Sequence, residues 1–371
     1  MNRRNFIGLA AGTFVIIGGA GYLLSDKQNL VRDNVKMAAD DQSLLRDDER
    51  EILYLASLAP SGHNTQPWLI KYIEPYHWII CNDKSKWLPA VDPGQRETIL
   101  SLGAFIQNLE YAASNAGYNC QFNILASTNQ DENVVSVKLS QSENAPTFKI
   151  DRIKTRRTVR SNFLNDSLKK EDALYLFNEE SAFFTFIPNG AKEYRYLNQQ
   201  TIEANRIQSY RDAAEKELSE WIRFSSKEAA IHCDGLTAAS MEINGIPGWV
   251  VRNFYNKGSV MKNDFRDKNI SNVIKQVSQS AGWLLITSRG DSVATLLETG
   301  KRFQRIFLKV REKGIAIHPM TQALEESLIN QTLNHSIGVT DTIQFILRLG
   351  YVKKYPEPVS LRRPVDWFVK K

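Results

Sequence analysis

Two stretches of this chain match each other at one fixed separation, and that constrains the fold more than any other feature. Residues 101–117 carry Gly103, Gln107 and Gly117, and residues 298–314 carry Gly300, Gln304 and Gly314, each 197 positions further on. The apolar Ile106, Leu109 and Ala113 fall opposite Phe303, Ile306 and Val310. In both copies the spacing predicts an amphipathic helix stopped by a glycine. A helix repeated about half a chain apart predicts two related halves, packed as the subunits of a twofold dimer would be and free to diverge separately.

The composition allows this. With 371 residues, 42% hydrophobic and 24% charged, the chain has the makeup of an ordinary folded protein, which excludes global disorder, collagen and a disulfide-dense miniprotein. The net charge of +6 is small for this length and scattered, so no nucleic-acid face is expected. Cys81, Cys120 and Cys233 form no CxxC, and read as buried free thiols, with a Cys81–Cys120 bridge as the alternative in an oxidising compartment. His63, His77, His232, His318 and His335 never pair at metal-ligand spacing, and no metal is expected.

The first 25 residues read as an address. Paired Arg3-Arg4, then Phe6-Ile7, then an apolar Gly/Ala-rich run from Gly8 to Leu24, have the form of a twin-arginine export signal, which would make the twin-arginine translocase a partner. The run is about long enough for a minimal membrane span, so it reads as a cleaved signal or a retained anchor. The chain is then expected in the periplasm or anchored facing outward. Residues 26–43 read as a linker, and the folded body is expected to begin near Leu44, with a first half over 44–150 and a second over 151–371.

Two segments carry the chemistry. Pro60-Ser61-Gly62-His63-Asn64-Thr65-Gln66-Pro67-Trp68 lies between a helix expected over Asp47–Leu58 and a strand expected over Leu69–Ile73. It describes a tight loop rich in peptide groups and amides, able to hydrogen-bond a flat heterocycle; a plain helix-to-strand turn is the alternative. Arg156-Arg157-Thr158-Val159-Arg160 offers guanidinium forks and a hydroxyl suited to phosphate oxygens, or else a solvated basic turn.

Together these segments resemble the flavin-dependent nitroreductase superfamily, whose members carry Arg-Arg-Ser-x-Arg and, further along, Pro-Ser-x-x-Asn-x-Gln-Pro-Trp. Those proteins are usually homodimers with two FMN sites across the interface. Here the first half holds the second motif without the first, and the second half opens with the first motif without the second. That arrangement resembles the fused, single-chain Acg-like branch, in which one complete FMN site survives between the halves. The resemblance implies an α+β fold of two tandem diverged halves, each a mainly antiparallel sheet flanked by helices, forming a monomeric pseudo-dimer.

It also implies roles. Arg156 and Thr158, with Arg362 and Arg363 near the C-terminus, would hold the FMN phosphate. Arg157 belongs to the same motif, and Arg160 would face the N1–C2 carbonyl region. Asn64 and Gln66 would bond polar edges of the cofactor, with Pro60, Ser61 and Gly62 lining the loop beside it. Pro319 and Met320 would bring backbone groups to flavin N5. Thr158 stands where Ser is usual in the family, and its hydroxyl can do the same work. The expected activity is two-electron transfer to a small acceptor such as a quinone or nitro compound, from NAD(P)H or another reductant; FMN storage with little turnover is the alternative. Residues 164–282 match no part of the motif set; part of that stretch reads as a lid over the flavin, with ordinary strand-and-helix framework as the alternative, and Gly245–Trp249 reads as a structured loop.

Overall fold

The computed structural model describes residues 25–26, 30–32 and 44–371. The export-signal motif and most of the linker expected over 26–43 lie outside the described residues. Among the described residues no helix is long and apolar enough to cross a membrane.

The first half runs α1 (Asp47–Ser57), β1 (Trp68–Glu74), β2 (His77–Asn82), α2 (Arg96–Asn115), β3 (Tyr118–Ile124) and β4 (Asn133–Gln141). After α3 (Ile150–Thr155) the second half runs α4 (Lys170–Phe177), β5 (Phe184–Pro188), α5 (Lys192–Tyr210), α6 (Asp212–Trp221), β6 (Ile222–Arg223), α7 (Ser226–His232) and β7 (Leu236–Thr237). It continues through α8 (Gly245–Phe254), α9 (Lys257–Val260), α10 (Asn263–Val277), β8 (Gly282–Ser288), α11 (Val293–Lys309), β9 (Ile315–Pro319), α12 (Gln322–Glu325), α13 (Ser327–Ile337) and β10 (Thr342–Tyr351). The chain closes with α14 (Val365–Phe368) and β11 (Val369–Lys370).

The two halves share one strand order. The first sheet reads β1-β2-β4-β3 and the second β5-β8-β10-β9, so the strand after the long helix lies at an edge and the next inserts inside it. All of these pairings are antiparallel. The fold is therefore α+β in two tandem halves. β11 crosses over and pairs in parallel with β1, Ile70 opposite Val369, so the end of the second half completes the first half's sheet. Where the first half turns tightly between β1 and β2, the second inserts residues 189–281, with α5 to α10, between β5 and β8.

The repeated segments are α2 and α11, and they form the seam. Gly117 and Gly314 both follow their helices with positive φ (85° and 64°), the left-handed backbone that glycine adopts without a Cβ penalty. α2 is buried on nearly all sides, because its own sheet, α1 and α11 all pack on it. Leu296, Leu297 and Leu308 of α11 join the first half's core, which also contains Trp68, Phe105 and Phe368. Gly245–Trp249, expected as a loop, instead opens helix α8. Pro247 sits in its first turn, where a missing N–H breaks no helical bond. The three cysteines are free thiols; burial raises the pKa of Cys81 to about 11 and that of Cys120 to about 12.

Candidate functional site

The loop after α1 is bent into unusual backbone. His63, Asn64 and Gln66 all have positive φ (48°, 55° and 56°), a region non-glycine residues rarely occupy. Local bonds hold it there: the amides of Asn64 and Thr65 donate to the carbonyls of Ser61 (3.1 Å) and Gly62 (2.9 Å), and the Gln66 amide donates to Ser61 Oγ (2.9 Å). At Gly62 an added Cβ would lie 3.2 Å from Leu88 Cδ1. The loop wall is thus as tight as its glycine suggests.

The Arg156–Arg160 segment reaches this loop from the second half. The Val159 amide donates to the carbonyl of Ile317 in β9 (3.3 Å), and Arg156 Nη2 donates to the carbonyl of Leu58 at the end of α1 (3.0 Å). The two motifs therefore meet across the seam. Pro60, Ser61, Gly62, Thr158, Arg160, Pro319 and Met320 all line one cleft of about 1390 Å³. That exceeds the ~300–1,000 Å³ usual for small-ligand sites, leaving room for a cofactor and a second molecule.

Asn64, Gln66, Arg362 and Arg363 do not line that cleft. They form a buried knot behind it. Arg362 donates to the carbonyls of Ser57 (2.6 Å), Leu58 (3.2 Å) and Ala59 (3.0 Å) and to Asn64 Oδ1 (2.9 Å), a cation capping the negative end of α1. Asn64 Nδ2 donates to the carbonyls of Gly235 and Leu361, and Gln66 Nε2 to that of Cys233. Arg363 Nη2 donates to the carbonyls of Gln66 and Trp68. Arg156 and Arg157 are also outside the lining; Arg157 pairs with Glu242 at 3.5 Å and bonds the carbonyl of Glu357.

Met320 also departs from expectation. Its amide donates to the carbonyl of Ile346 (2.9 Å), so that N–H is used within the fold, and Pro319 has none to offer.

The electrostatics favour an anion near Arg156. Arg156 and Arg362 are both buried, neither has an ion pair among the described residues, and Arg156 Nε lacks any hydrogen-bond partner. Burial lowers the pKa of both, and their mutual repulsion lowers that of Arg362 further. Arg362 spends its donors on carbonyls and Asn64, so the unpartnered Nε of Arg156 is the donor left to suit an anion.

Glu97, His318, Thr321 and Glu325 line the same cleft, a grouping that sequence reasoning missed. Arg348, buried in β10, donates through Nη2 to His318 Nδ1 (3.2 Å) and to the Arg160 carbonyl (2.5 Å). Because a guanidinium only donates, His318 Nδ1 accepts and its proton sits on Nε2. Burial, then Arg348 and Arg160, hold His318 well below its ordinary pKa, so it is neutral. The Thr321 hydroxyl lies between Glu97 (3.0 Å) and Glu325 (3.4 Å). Burial and the neighbouring Glu97 raise the Glu325 pKa well above the carboxylate range. Glu97 comes from the first half, 224 residues before Thr321, and no local pattern marks the group.

No protein-family model matches the chain. Among curated proteins it is 23% identical over 336 residues to one of Mycobacterium tuberculosis (strain H37Rv) named as the NAD(P)H nitroreductase acg, a match spanning 88% of this chain and 96% of that protein. It is 19% identical over 331 residues to one of Serratia sp. named as the NAD(P)H nitroreductase PigM, spanning 83% and 89%. The α+β fold of two tandem halves agrees with the one the resemblance implies.

Solved structures similar to this chain include one described as a nitroreductase from Anabaena variabilis, 9% identical, spanning 84% of this chain and 90% of that one, with a TM-score of 0.40. Another is the FMN-dependent nitroreductase NfnB of Mycobacterium smegmatis in complex with NADPH, 15% identical, spanning 56% and 91%, with a TM-score of 0.34. In the second half, the loop corresponding to Pro60–Trp68 is Asn178–Phe183. It lacks the motif, and its Glu180 pairs with Arg302 (3.0 Å) and Arg305 (2.6 Å) of α11.

Proposed function

We propose that this chain is an FMN-dependent oxidoreductase of the nitroreductase type, with one flavin between its halves, passing two electrons through flavin N5 to a small acceptor such as a quinone or nitro compound. One observation carries the reading: the Pro60–Gly62 loop, the Thr158–Arg160 segment and the Pro319–Met320 strand end, distant in sequence, converge on a single cleft.

When bound, FMN supplies the hydride chemistry. The chain's own residues bind and tune it. Arg156, whose Nε has no partner within the fold, would hold the phosphate, with the Thr158 hydroxyl adding a donor. Arg160 offsets negative charge at the N1–C2 carbonyl region, and Ser61 and Gly62 close against the ring system. His318 Nε2 is a neutral donor in the cleft wall, and Glu325 stores a proton there for an acceptor that takes up hydride and proton together. The knot of Asn64, Gln66 and Arg363 keeps the loop in its strained shape. NAD(P)H is the first donor to try, because it stands in the names of both M. tuberculosis and Serratia relatives.

Export belongs to the same proposal. Arg3-Arg4 ahead of an apolar run supports passage through the twin-arginine translocase. Changing both to lysine should leave the chain in the cytoplasm on fractionation.

A second reading, FMN storage with little turnover, draws on the cover over the cleft: Leu218 of α6, Val250 of α8 and Asn272 of α10 all line it. Reoxidation of the dithionite-reduced protein by menadione or nitrofurazone separates the two. Fast reoxidation supports the oxidoreductase, whereas bound flavin that stays reduced supports storage.

A further inference from the structure

The chain's first described residues are clamped onto the cover of the cleft. Trp249 Nε1 donates to Ser25 Oγ (3.2 Å), the Asp26 amide donates to Asn253 Oδ1 (2.9 Å), and Asn253 Nδ2 donates back to the Asp26 carbonyl (3.2 Å). Ser226 at the start of α7 donates to Asp26 Oδ1 (2.8 Å), and Arg252 lies 3.5 Å from the same oxygen. α7 and α8 thus grip residues 25–26 from two sides.

Both helices present large apolar side chains to the outside. Ile246 is 79% exposed, Phe254 64% and Ile231 59%. The edge of Trp249 meets Phe254, ring centres 5.3 Å apart, beside the Ser25 contact. Tyr255 and Lys257 follow directly. An aromatic and basic fringe around aliphatic residues is the composition of a membrane–water interface.

The sequence says what covers this face. Leu24, the last residue of the apolar run Gly8–Leu24, is bonded directly to Ser25. In a helix, a run of that length spans about 26 Å, close to the ~30 Å hydrocarbon core. If the run is in a bilayer, Ser25 leaves it with no slack, and whatever touches Ser25 must lie at the lipid surface. Arg3-Arg4 at the far end puts the body on the outer side.

We propose that α7 and α8 form a membrane-docking face, seated in the bilayer interface beside the N-terminal anchor. The mouth of the cleft then lies at the lipid surface, since Ile246 and Tyr255 belong both to its lining and to the exposed face. On the oxidoreductase reading, to which this consequence alone is tied, the acceptor is an apolar quinone dissolved in the bilayer. It takes two electrons from reduced flavin and two protons to become the hydroquinone.

The docking face is tested without flavin chemistry. The full chain, its native cysteines replaced by alanine, is placed in phosphatidylcholine–phosphatidylglycerol vesicles and labelled with an environment-sensitive fluorophore at Ile246→Cys, Phe254→Cys or Leu328→Cys. Leu328, on α13, is as exposed as Ile246 (79%) and serves as the control. Brominated lipid should quench the labels at 246 and 254 at least twofold more than the label at 328. Equal quenching at all three overturns the docking face. Should the labelled variants unfold, intrinsic fluorescence replaces them: Trp249→Phe should reduce lipid quenching of the unlabelled protein, and unchanged quenching overturns the proposal.

A second arm addresses the acceptor. Ile231→Asp with Phe254→Asp should slow flavin reoxidation by a vesicle-borne long-chain quinone at least tenfold while leaving a water-soluble quinone unaffected. Equal rates with both quinones overturn the lipid route. Protein that binds no flavin, yet shows the quenching pattern, removes the oxidoreductase reading and leaves the docking face standing.

Discussion

Gly103 and Gly300 lie back to back where α2 crosses α11. A Cβ added at Gly103 would fall 2.2 Å from the Leu297 carbonyl oxygen, and one at Gly300 would fall 2.0 Å from the Leu100 carbonyl oxygen. Each glycine blocks the equivalent place on the other helix, as a twofold contact requires. One turn along, the exchange repeats: Arg305 Nη1 donates to Gln107 Oε1 (2.7 Å) and Gln304 Nε2 to Asn108 Oδ1 (2.7 Å). The pseudo-dimer axis passes between these helices.

Gly103→Ala and Gly300→Ala should therefore each destabilise the fold by about 3 kcal/mol or more, since the obstruction is backbone and cannot rotate away. Gly94→Ala, with nothing within 4 Å of an added Cβ, should change stability little. Urea unfolding of the three variants checks this.

Arg362, expected as a phosphate ligand, is a framework residue. Arg362→Met leaves the carbonyls of Ser57, Leu58 and Ala59 without their cation, and should cost at least ~3 kcal/mol. Arg362→Lys keeps the charge but cannot reach all three carbonyls, so it should fall between. Thermal unfolding of both variants checks the order.

The segment that carries the chemistry was legible as residue types, and less so as roles. A guanidinium makes the same bonds to a peptide carbonyl as to a phosphate oxygen, so Arg362 and Arg363 look alike in sequence whether they hold a cofactor or the end of α1. Asn64 and Gln66 raise the same ambiguity, and here they brace the loop. Gly103, Gln107 and Gly117 betrayed the repeat because close helix crossing and helix termination each demand particular residues. α8 was hidden because Gly and Pro at its start mimic a loop. The trio Glu97, Thr321 and Glu325 exists only once the halves are packed.

His63 supplies a pH signature. Burial, opposed by Glu97 and reinforced by Arg160, lowers its pKa to about 4, below the ~6.5 of an unfolded chain. The unfolded state takes up this proton first, so the contribution is intact above about pH 6.5 and is lost as pH falls toward 4. His63→Gln should shrink the stability lost between pH 7 and 4.5 by about 1–2 kcal/mol, the partial exposure of the ring limiting the effect. Urea titrations of both proteins across that range measure the difference.

Arg160 should set the potential of the bound flavin. It lines the cleft, and its Nη1 donates to the Ser240 carbonyl (2.9 Å), which fixes its position. Arg160→Gln removes a positive charge facing the reduced anion and should lower the two-electron midpoint by roughly 30–60 mV. Spectroelectrochemical titration reads the shift, and an unchanged midpoint would place Arg160 away from the ring.

The central claim is a single flavin held between two diverged halves of one chain. Native mass spectrometry of the full-length protein, read beside its visible spectrum, tests it most directly. The account predicts a yellow protein whose mass is one chain plus one FMN, with the flavin lost on Arg156→Ala. A colourless chain that takes up no added FMN, or two flavins per chain, would contradict it.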